Sequence, residues 1–405
     1  MEMEFNFDQI INRQNTDSAK WGYIYDHGSF TSRTLGDDVL APDELLALWV
    51  ADMDFASPPA VIEALCERAK HGIFGYTVPG DSYFDAIINW MQTRHNWTVE
   101  KDWILTIPGI VPALNFIVQA YTAVDDQVVI QTPVYGPFSS AVTNNGRTLV
   151  HNPMHYSEGR YTIDFEDLEK TLAHPKTTLA ILCSPHNPVG RVWTREELHR
   201  YGMLCRKHNV LIVSDEIHHD LILRWGEFTT FAVACPEAMD NAIICTAPSK
   251  TFNVPGLKTA NCYIPNPDVR AKMTGFMGNL GLFGAGAFGL VALRTAYTEG
   301  AEWLDAAMEY VSDNYEFLRD YLAEHMPQLH VVHPEGTYLV WVDFRALELE
   351  PKELNRQLME EARVDLSTGT SYCEGGDGFM RFNIACPRPI LAEALRRICV
   401  QFSAE

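Results

Sequence analysis

The chain has 405 residues, of which 47% are hydrophobic and 21% charged, a composition typical of a globular protein and not of a disordered one. This length exceeds the size at which a single hydrophobic core stops growing, so we expect two domains, or one large domain with a smaller satellite. The 31 basic against 53 acidic side chains leave a formal net charge of −22, which repels nucleic acid and anionic lipid and excludes polyanion binding.

The nine cysteines form an odd count without a C-x-x-C pair, and several lie in apolar runs such as 243–245. Buried free thiols in a reducing compartment explain this pattern better than a disulfide framework or a zinc site. The acidic start, Met1 to Asp8, lacks the basic and apolar regions of a signal peptide. A cytoplasmic protein is therefore predicted.

Short β-branched runs alternate with helix-like stretches through the middle of the chain. Buried strands are predicted at 127–131, 178–183, 210–214 and 242–246. A helix is predicted over 194–205, where Thr194 and Glu197 form a capping-box pattern. Such alternation predicts an α/β fold with a mainly parallel sheet covered by helices.

Residues 275–293 carry no charge, but six of them are glycine and Asn279 interrupts the run. A membrane span is not predicted here; we interpret the segment as packed, with close backbone approach. Within it, Gly284 to Gly289 match G-x-G-x-x-G, and Asp305 follows about twenty residues on, as in a dinucleotide fingerprint. No predicted strand precedes these glycines and Asp305 falls in a helical pattern, so nicotinamide binding is not expected.

A different pattern follows the glycine-rich segment. Apolar residues recur at helical spacing over 311–322 and 391–402, and the runs 337–343 and 379–384 between them read as strands. This predicts a smaller α+β domain. The expected division is an N-terminal segment, 1–48, that contributes to the small domain, a large domain, 49–295, and the small domain, 296–405.

Polar residues stand where three predicted strands end. Asn187 lies in Ser-Pro-His-Asn-Pro-Val-Gly-Arg, Asp215 ends another run, and Lys250 lies in Ala-Pro-Ser-Lys-Thr-Phe-Asn. Ligands gather at the carboxyl ends of parallel strands, so one site is expected. A lysine amine can form an imine with an aldehyde cofactor, provided that an acid, a ring partner and a phosphate cradle accompany it. Tyr135 and the glycine turn 108–111 are candidates for the ring partner and the cradle.

These motifs resemble a known family. Asn-Pro-Val-Gly at 187–190, Asp-Glu-Ile-His at 215–218, Ser-Lys at 249–250 and Arg-Phe-Asn at 381–383 are similar, in order and spacing, to the fold-type I pyridoxal phosphate enzymes of the aspartate aminotransferase superfamily. Within this superfamily, two segments resemble the cysteine-sulfur lyases of the MalY/PatB cystathionine β-lyase type: Trp49 to Phe55 and Ala247 to Asn253. The resemblance extends from about residue 20 to 400.

The resemblance implies a pyridoxal 5'-phosphate cofactor and elimination from cysteine thioethers such as cystathionine, with pyruvate, ammonia and a thiol as products. The alternative is a class I/II aminotransferase. A third hypothesis is a regulator or interaction protein that keeps this fold, against which the intact set of Lys250, Asp215 and Arg381 argues.

Residue roles are carried over in the same way. The resemblance makes Lys250 the Schiff-base lysine and proton carrier, Asp215 the acid that faces the pyridine nitrogen, and Tyr135 the aromatic ring stacked on the cofactor. Asn187 and His218 would contact the ring 3-oxygen, with His218 standing where aminotransferases often carry tyrosine.

A phosphate cradle and a substrate anchor are also implied. The backbone N–H groups at a helix start and nearby polar side chains would bind the phosphate: Gly109, Ile110, Val111, Ser249 and Lys258. Lys258 stands where many aminotransferases have arginine, and Ala247 where they have a phosphate-binding serine. Arg381, with Asn187, would bind the α-carboxylate of an amino-acid substrate.

Tyr76 resembles the tyrosine that reaches the phosphate of the neighbouring subunit, which implies a homodimer with shared sites. Alternatives remain for several residues. Tyr76 could be a turn residue, Arg381 part of a surface salt bridge, and Asp52 and Asp54 helix caps. The run 218–220 could also pass for metal ligands, but no further His or Cys stands at ligand spacing nearby, so no metal is expected.

Overall fold

The computed structural model of the protein describes residues 5–26, 29–282 and 285–403. Its α-helices are α1 Ala19–Gly22, α2 Pro59–Lys70, α3 Asp81–His95, α4 Ile110–Tyr121, α5 Pro137–Thr143, α6 Phe165–Leu172, α7 Arg195–Lys207, α8 Phe231–Ala234, α9 Pro248–Thr251, α10 Pro267–Asn279, α11 Ala287–Glu299, α12 Ala301–His325, α13 Pro351–Arg356 and α14 Arg388–Phe402. Its strands are β1 Tyr23–Asp26, β2 Ser29–Ser32, β3 Leu46–Ala47, β4 Ile104–Ile107, β5 Gln127–Thr132, β6 Thr148–Pro153, β7 His155–Ser157, β8 Arg160–Thr162, β9 Thr177–Cys183, β10 Leu211–Asp215, β11 Ala242–Thr246, β12 Ala260–Tyr263, β13 His330–Val331, β14 Leu339–Asp343, β15 Val364–Asp365, β16 Ser367–Thr368 and β17 Phe379–Asn383.

A seven-stranded sheet with the order β4-β12-β11-β10-β9-β5-β6 organises residues 104–263. The pairs from β11 to β6 are parallel, and β12 runs antiparallel to both of its neighbours. The predicted strands at 127–131, 178–183, 210–214 and 242–246 are confirmed within one residue as β5, β9, β10 and β11. Strands β4, β6 and β12 were not predicted; β6 and β12 each contain a buried asparagine, Asn152 and Asn261.

Both faces of this sheet are buried. Alternate residues of β9 enter two different apolar clusters, Ala180 and Leu182 on one face, Leu179 and Ile181 on the other. This arrangement explains why the parallel strands read as continuous apolar runs and not as alternating ones. Helix α7 begins as predicted, since Thr194 and Glu197 form a complete capping box.

A second sheet lies in the C-terminal part of the chain, with the order β13-β14-β17-β16. The antiparallel pair β14 and β17 forms its centre, and α12 and α14 carry the two predicted helical patterns. Strand β3 pairs with β15, so the N-terminal segment contacts this C-terminal part. The division at 48/49 and 295/296 stays a prediction.

The interpretation of 275–293 as a packed, close-approach segment is wrong for 275–282 and is confirmed around Gly289, where Ala292 and Leu293 are also buried. Helices α10 and α11 extend into it, but Leu280 is 50% exposed, and a Cβ at Gly275 or Gly278 would meet nothing within 4 Å. At Gly289 a Cβ would lie 2.7 Å from the Leu257 carbonyl oxygen, a genuine close approach. The described helices include none that is long and apolar enough to cross a membrane.

Two further expectations can be located. Gly284 of the G-x-G-x-x-G match lies outside the described residues, whereas Asp305 lies inside α12, as its helical pattern predicts. The expectation of free thiols is confirmed for the nine cysteines, seven of which are buried.

Candidate active site

Three polar side chains converge where β9, β10 and β11 end. Asn187 lies four residues beyond β9, Asp215 is the last residue of β10, and Lys250 sits in the short helix α9 just after β11. These strands are neighbours and parallel, so their carboxyl ends meet at one edge of the sheet. The structure therefore brings these sequence-predicted residues together.

The Lys250 amine points to the segment that precedes α2. Its Nζ donates a hydrogen bond of 2.6 Å to the backbone carbonyl oxygen of Ala51, which also accepts one of 2.9 Å from the Tyr338 hydroxyl. Burial lowers the pKa of Lys250 to about 8, and the positive charge of Arg381 acts in the same direction, while Asp52 and Asp215 oppose it. A substantial neutral fraction of this amine is thus present at mildly alkaline pH.

Asp215 is a buried carboxylate with few local partners. Its Oδ1 accepts a hydrogen bond of 3.1 Å from the backbone N–H of Ile217. Burial raises the pKa of Asp215 to about 7, the neighbouring charge of Glu216 adds to this rise, and Lys250 opposes it. Among the described residues no cationic side chain forms an ion pair with it, so the carboxylate favours a cation supplied from elsewhere.

Arg381 lies on β17 and is only 3% exposed, which rules out the surface salt bridge considered for it. Its Nη1 donates to Asn187 Oδ1 at 3.3 Å, and its Nη2 donates to Ser367 Oγ at 3.0 Å and to the backbone oxygen of Trp49. The guanidinium also lies over the Tyr372 ring, 5.4 Å from its centroid. These contacts fix the guanidinium plane beside Asn187.

His218 and Tyr135 border the same region. His218 is buried, its Nδ1 has no hydrogen-bond partner among the described residues, and its pKa is lowered by burial and by the charges of Lys250 and Arg381. The backbone N–H of Tyr135 donates to the Asn187 carbonyl oxygen at 3.1 Å. Burial raises the pKa of the Tyr135 hydroxyl.

The residues expected to bind a phosphate lie around one helix start and one short helix. Helix α4 begins at Ile110 with Gly109 as its N-cap, so Gly109, Ile110 and Val111 stand at the electropositive end of a 12-residue helix. Ser249 precedes Lys250 in α9, and Lys258, which is exposed, follows the next turn.

Tyr76 is separate from these residues. It lies fully exposed in the loop between α2 and α3, in an apolar surface region of exposed side chains that includes Ile73, Phe74 and Val78. A cavity of about 500 Å³ beside it is lined by residues 74–78 and 285–288. Within the described chain Tyr76 is not part of the cluster around Lys250.

Asp52 and Asp54 do not cap helices. Asp54 accepts hydrogen bonds from Lys20 Nζ at 2.7 Å and from Trp21 Nε1 at 2.7 Å, and Arg13 pairs with both carboxylates. This network anchors the N-terminal segment to residues 49–54, whose carbonyl groups hold Lys250 and Arg381. The sequence did not predict that these carbonyl groups belong to the site, because a backbone acceptor such as that of Ala51 leaves no signature in residue type.

A pyridoxal phosphate group fits these donors and acceptors. Among the described side chains none forms an ion pair with Asp215, and a protonated pyridine nitrogen would supply that missing cation; His218 Nδ1 has no hydrogen-bond partner among them either. The Nε of Arg381 is likewise buried and has no hydrogen-bond partner in the described part of the chain, as expected of a guanidinium with one donor free to bind a ligand.

Comparison with known proteins places the chain in a family. The family model for aminotransferase class I and II matches residues 43–398, and the chain belongs to this family. Cystathionine beta-lyase PatB of Bacillus subtilis is 44% identical over 97% of this chain and 98% of its own length. Protein MalY of Escherichia coli is 33% identical, covering 96% and 97%.

A solved structure agrees closely with this fold. The crystal structure of cystalysin from Treponema denticola, which contains a pyridoxal 5'-phosphate cofactor, superposes with a TM-score of 0.91 at 34% identity, covering 98% of this chain and 99% of that one. The expected α/β fold of the fold-type I pyridoxal phosphate enzymes is confirmed.

Proposed function

We propose that the protein is a pyridoxal phosphate-dependent carbon–sulfur β-lyase that cleaves cysteine thioethers, such as cystathionine, to pyruvate, ammonia and a thiol. The observation that carries this proposal is the convergence of Lys250, Asp215 and the Arg381–Asn187 pair at one edge of the sheet. The 44% identity to a relative named cystathionine beta-lyase supports the reaction type.

Pyridoxal phosphate, when bound, supplies an electron sink for the bond pair released at the substrate α-carbon. Lys250 would bind the aldehyde group of the cofactor, and Asp215 would pair with its pyridine nitrogen. Asn187, His218 and Tyr135 would contact its ring. The phosphate would be bound by the start of α4, whose first N–H groups lack intrahelical partners, together with Ser249 and Lys258.

Lys250 is proposed as the base that removes the substrate α-proton. A general base works best when its pKa lies near the operating pH, and burial has already brought the pKa of Lys250 down to about 8. The hydrogen bond to Ala51 holds its Nζ in one direction. The protonated amine can then deliver its proton to the departing thiolate sulfur.

Asp215 is proposed to keep the pyridine nitrogen protonated. An ion pair in this buried place favours the ionised carboxylate, which reverses the rise that burial imposes on the pKa of Asp215. The backbone N–H of Ile217 holds one carboxylate oxygen, so the side chain is oriented before any ligand arrives.

Arg381 is proposed to bind the substrate α-carboxylate, with Asn187 beside it. Ser367 and the Trp49 carbonyl orient the guanidinium, which leaves its buried, unpartnered Nε and its planar fork for a carboxylate. An α-amino acid held in this way presents its α-hydrogen to Lys250.

We also propose a cytoplasmic homodimer, on two grounds. Seven buried free thiols suit a reducing compartment. The exposed apolar side chains of Ile73, Phe74, Tyr76 and Val78 form a surface that a second copy would cover, and Tyr76 would then approach the partner's phosphate cradle.

The proposed large and small domains, 49–295 and 296–405, would meet at the site.

The deciding experiment is to incubate the purified holoenzyme with cystathionine, with an S-alkylcysteine, and with an amino acid plus 2-oxoglutarate. We expect pyruvate, ammonia and a thiol from the thioethers without any keto-acid acceptor. Amino-group exchange with 2-oxoglutarate and no pyruvate from any thioether would overturn the lyase proposal in favour of an aminotransferase.

A further inference from the structure

Outside the candidate active site, His95, His219 and Asp220 converge beside a surface cavity of about 440 Å³. His95 ends α3, and His219 and Asp220 follow β10, so the cluster joins residues 125 positions apart in the chain. One ligand atom from each lies within 4.8 Å of the other two, and the two imidazole rings are 4.5 Å apart. His218, next in sequence to His219, faces the candidate active site instead.

The hydrogen bonds of His219 determine which of its nitrogens carries the proton. Its Nδ1 lies 2.6 Å from the backbone oxygen of Glu216, and a carbonyl oxygen only accepts, so the proton is on Nδ1. In a neutral imidazole that carries its proton on Nδ1, the other ring nitrogen carries none. The Nε2 atom therefore presents a lone pair.

That lone pair faces another acceptor. His219 Nε2 lies 3.3 Å from Asp220 Oδ2 and has no hydrogen-bond partner among the described residues, although His219 is only 1% exposed. Two acceptors in this arrangement repel each other unless a cation lies between them. The cavity gives such a cation a route from solvent.

Asp220 is oriented in the way that metal-binding carboxylates are. Its Oδ1 accepts from Trp90 Nε1 at 3.1 Å and His95 Nε2 at 2.8 Å, and its Oδ2 accepts from Thr251 Oγ1 at 2.8 Å. The Oδ2 atom keeps one lone pair for the His219 side. Hydrogen bonds of this kind, like that from His219 to a backbone carbonyl, position ligands around bound metals.

We propose that His95, His219 and Asp220 bind a divalent transition-metal ion of the Zn²⁺ type. Two imidazole nitrogens and one carboxylate oxygen are donors that such ions prefer, and a water from the cavity completes four-coordination. His95 changes tautomer on binding: the proton on Nε2 moves to Nδ1 through solvent, and the Nε2 lone pair turns from Asp220 to the ion.

The charges around the cavity leave Asp220 available to a cation. Arg94 pairs with Asp305 at 2.6 Å, and Arg224 pairs with Glu309 at 2.5 Å, so the rim cations are neutralised by their own partners. The Asp220–Thr251 hydrogen bond connects the site to α9, in which Thr251 directly follows Lys250. Asp220 is thus linked by one hydrogen bond to the residue that follows the candidate active-site lysine.

The test measures metal binding to the tag-free holoenzyme. After removal of metals with a chelator, we expect calorimetry to show one tightly bound Zn²⁺, and His219→Gln and His95→Gln each to lower that affinity by about tenfold or more. The matched control is His199→Gln, in the cluster of exposed His199, buried Cys235 and exposed Glu237, which should leave the tight site intact.

Equal Zn²⁺ affinity in the wild type and in both cluster variants, or loss only in His199→Gln, would overturn the proposal. If a variant does not fold, Co²⁺ titration of the wild type decides. An intense visible difference spectrum of four-coordinate cobalt without a thiolate band is expected, and a weak six-coordinate spectrum would contradict the site. The readout is binding, so it is independent of the lyase assay.

Discussion

Lys250 and Ala51 lie 199 positions apart in the chain, yet the lysine Nζ and the alanine carbonyl oxygen are joined by a hydrogen bond of 2.6 Å. The contact couples the α9 lysine that carries the proposed chemistry to the segment that is anchored by Asp54. It also keeps the amine pointed into the site while burial lowers its pKa to about 8.

We expect Lys250→Ala to abolish turnover while the chain still folds, because the proposed mechanism assigns proton removal to this amine alone. Borohydride reduction of the wild-type holoenzyme, followed by peptide mapping, should locate the cofactor on Lys250. The matched control is Lys207→Ala, an exposed lysine on α7 that should leave activity unchanged. Cofactor trapped on Lys258 would contradict the assignment.

Replacing Asp215 tests the proposed pairing with the pyridine nitrogen. We expect Asp215→Ala to lower kcat/KM by about a hundredfold or more, the scale for losing one preorganised electrostatic contact, and to weaken cofactor binding. Asp215→Glu should retain more activity because it keeps the charge. Near-wild-type rates in the alanine variant would remove Asp215 from the mechanism.

Arg381→Ala removes the proposed carboxylate contact. We expect kcat/KM for thioether substrates to fall by about tenfold to two hundredfold, with an increase in KM, because a charge-assisted hydrogen bond contributes roughly 1.5–3 kcal/mol. Arg345→Ala is the control: this half-exposed arginine pairs with Asp343 in the same sheet, away from the site. The same loss in both variants would indicate a structural effect.

Mixing two inactive variants tests the shared site. A hybrid of Lys250→Ala and Tyr76→Ala chains contains one site with an intact Lys250 and an intact Tyr76 from its partner, so we expect mixing to restore part of the activity. As a control, mixing Lys250→Ala chains with the double variant Tyr76→Ala/Lys250→Ala should restore no activity. A fully active monomer in sedimentation would contradict the proposed dimer.

The pH dependence of stability in cofactor-free protein reports on Asp215. Burial raises the pKa of Asp215 from its ordinary value of 3.8 to about 7, so its contribution to stability is fully present below pH 3.8 and is lost as the pH rises through 7. Urea unfolding midpoints should therefore fall over this range, and less steeply in Asp215→Asn. Glu216 and Asp365, also raised to about 7, add to the slope. An unchanged slope in the variant would show that Asp215 is not perturbed.

Several features of the fold followed from local sequence. The apolar runs that became β9, β10 and β11 were recognised because parallel strands with two covered faces need apolar residues at every position. The start of α7 followed from Thr194 and Glu197, whose side chains act within one turn. Strand β12 was missed, because its run Ala-Asn-Cys-Tyr carries a buried polar residue, Asn261, that accepts from Tyr83.

The glycine-rich segment shows that composition alone does not predict close packing. The glycines suggested close packing over 275–293, but a glycine permits close approach without requiring a neighbour. At Gly289 the approach is real because Leu257 and Thr259 lie beside it. A similar limit applies to the metal pattern at 218–220: adjacent histidines point in different directions, and His95 could not be associated with them by spacing.

The sequence by itself determined which residue types stand at the ends of the parallel strands, and with them the family, since strand periodicity and motif order depend on neighbours along the chain. Only the tertiary structure decided which side chains meet. Arg381 reaches Asn187 across 194 positions and His95 reaches Asp220 across 125, because the packing of separate elements, and not chain distance, sets those contacts. It also decided the state of each group, since the burial that shifts the pKa values of Lys250 and Asp215 exists only once the elements are packed together.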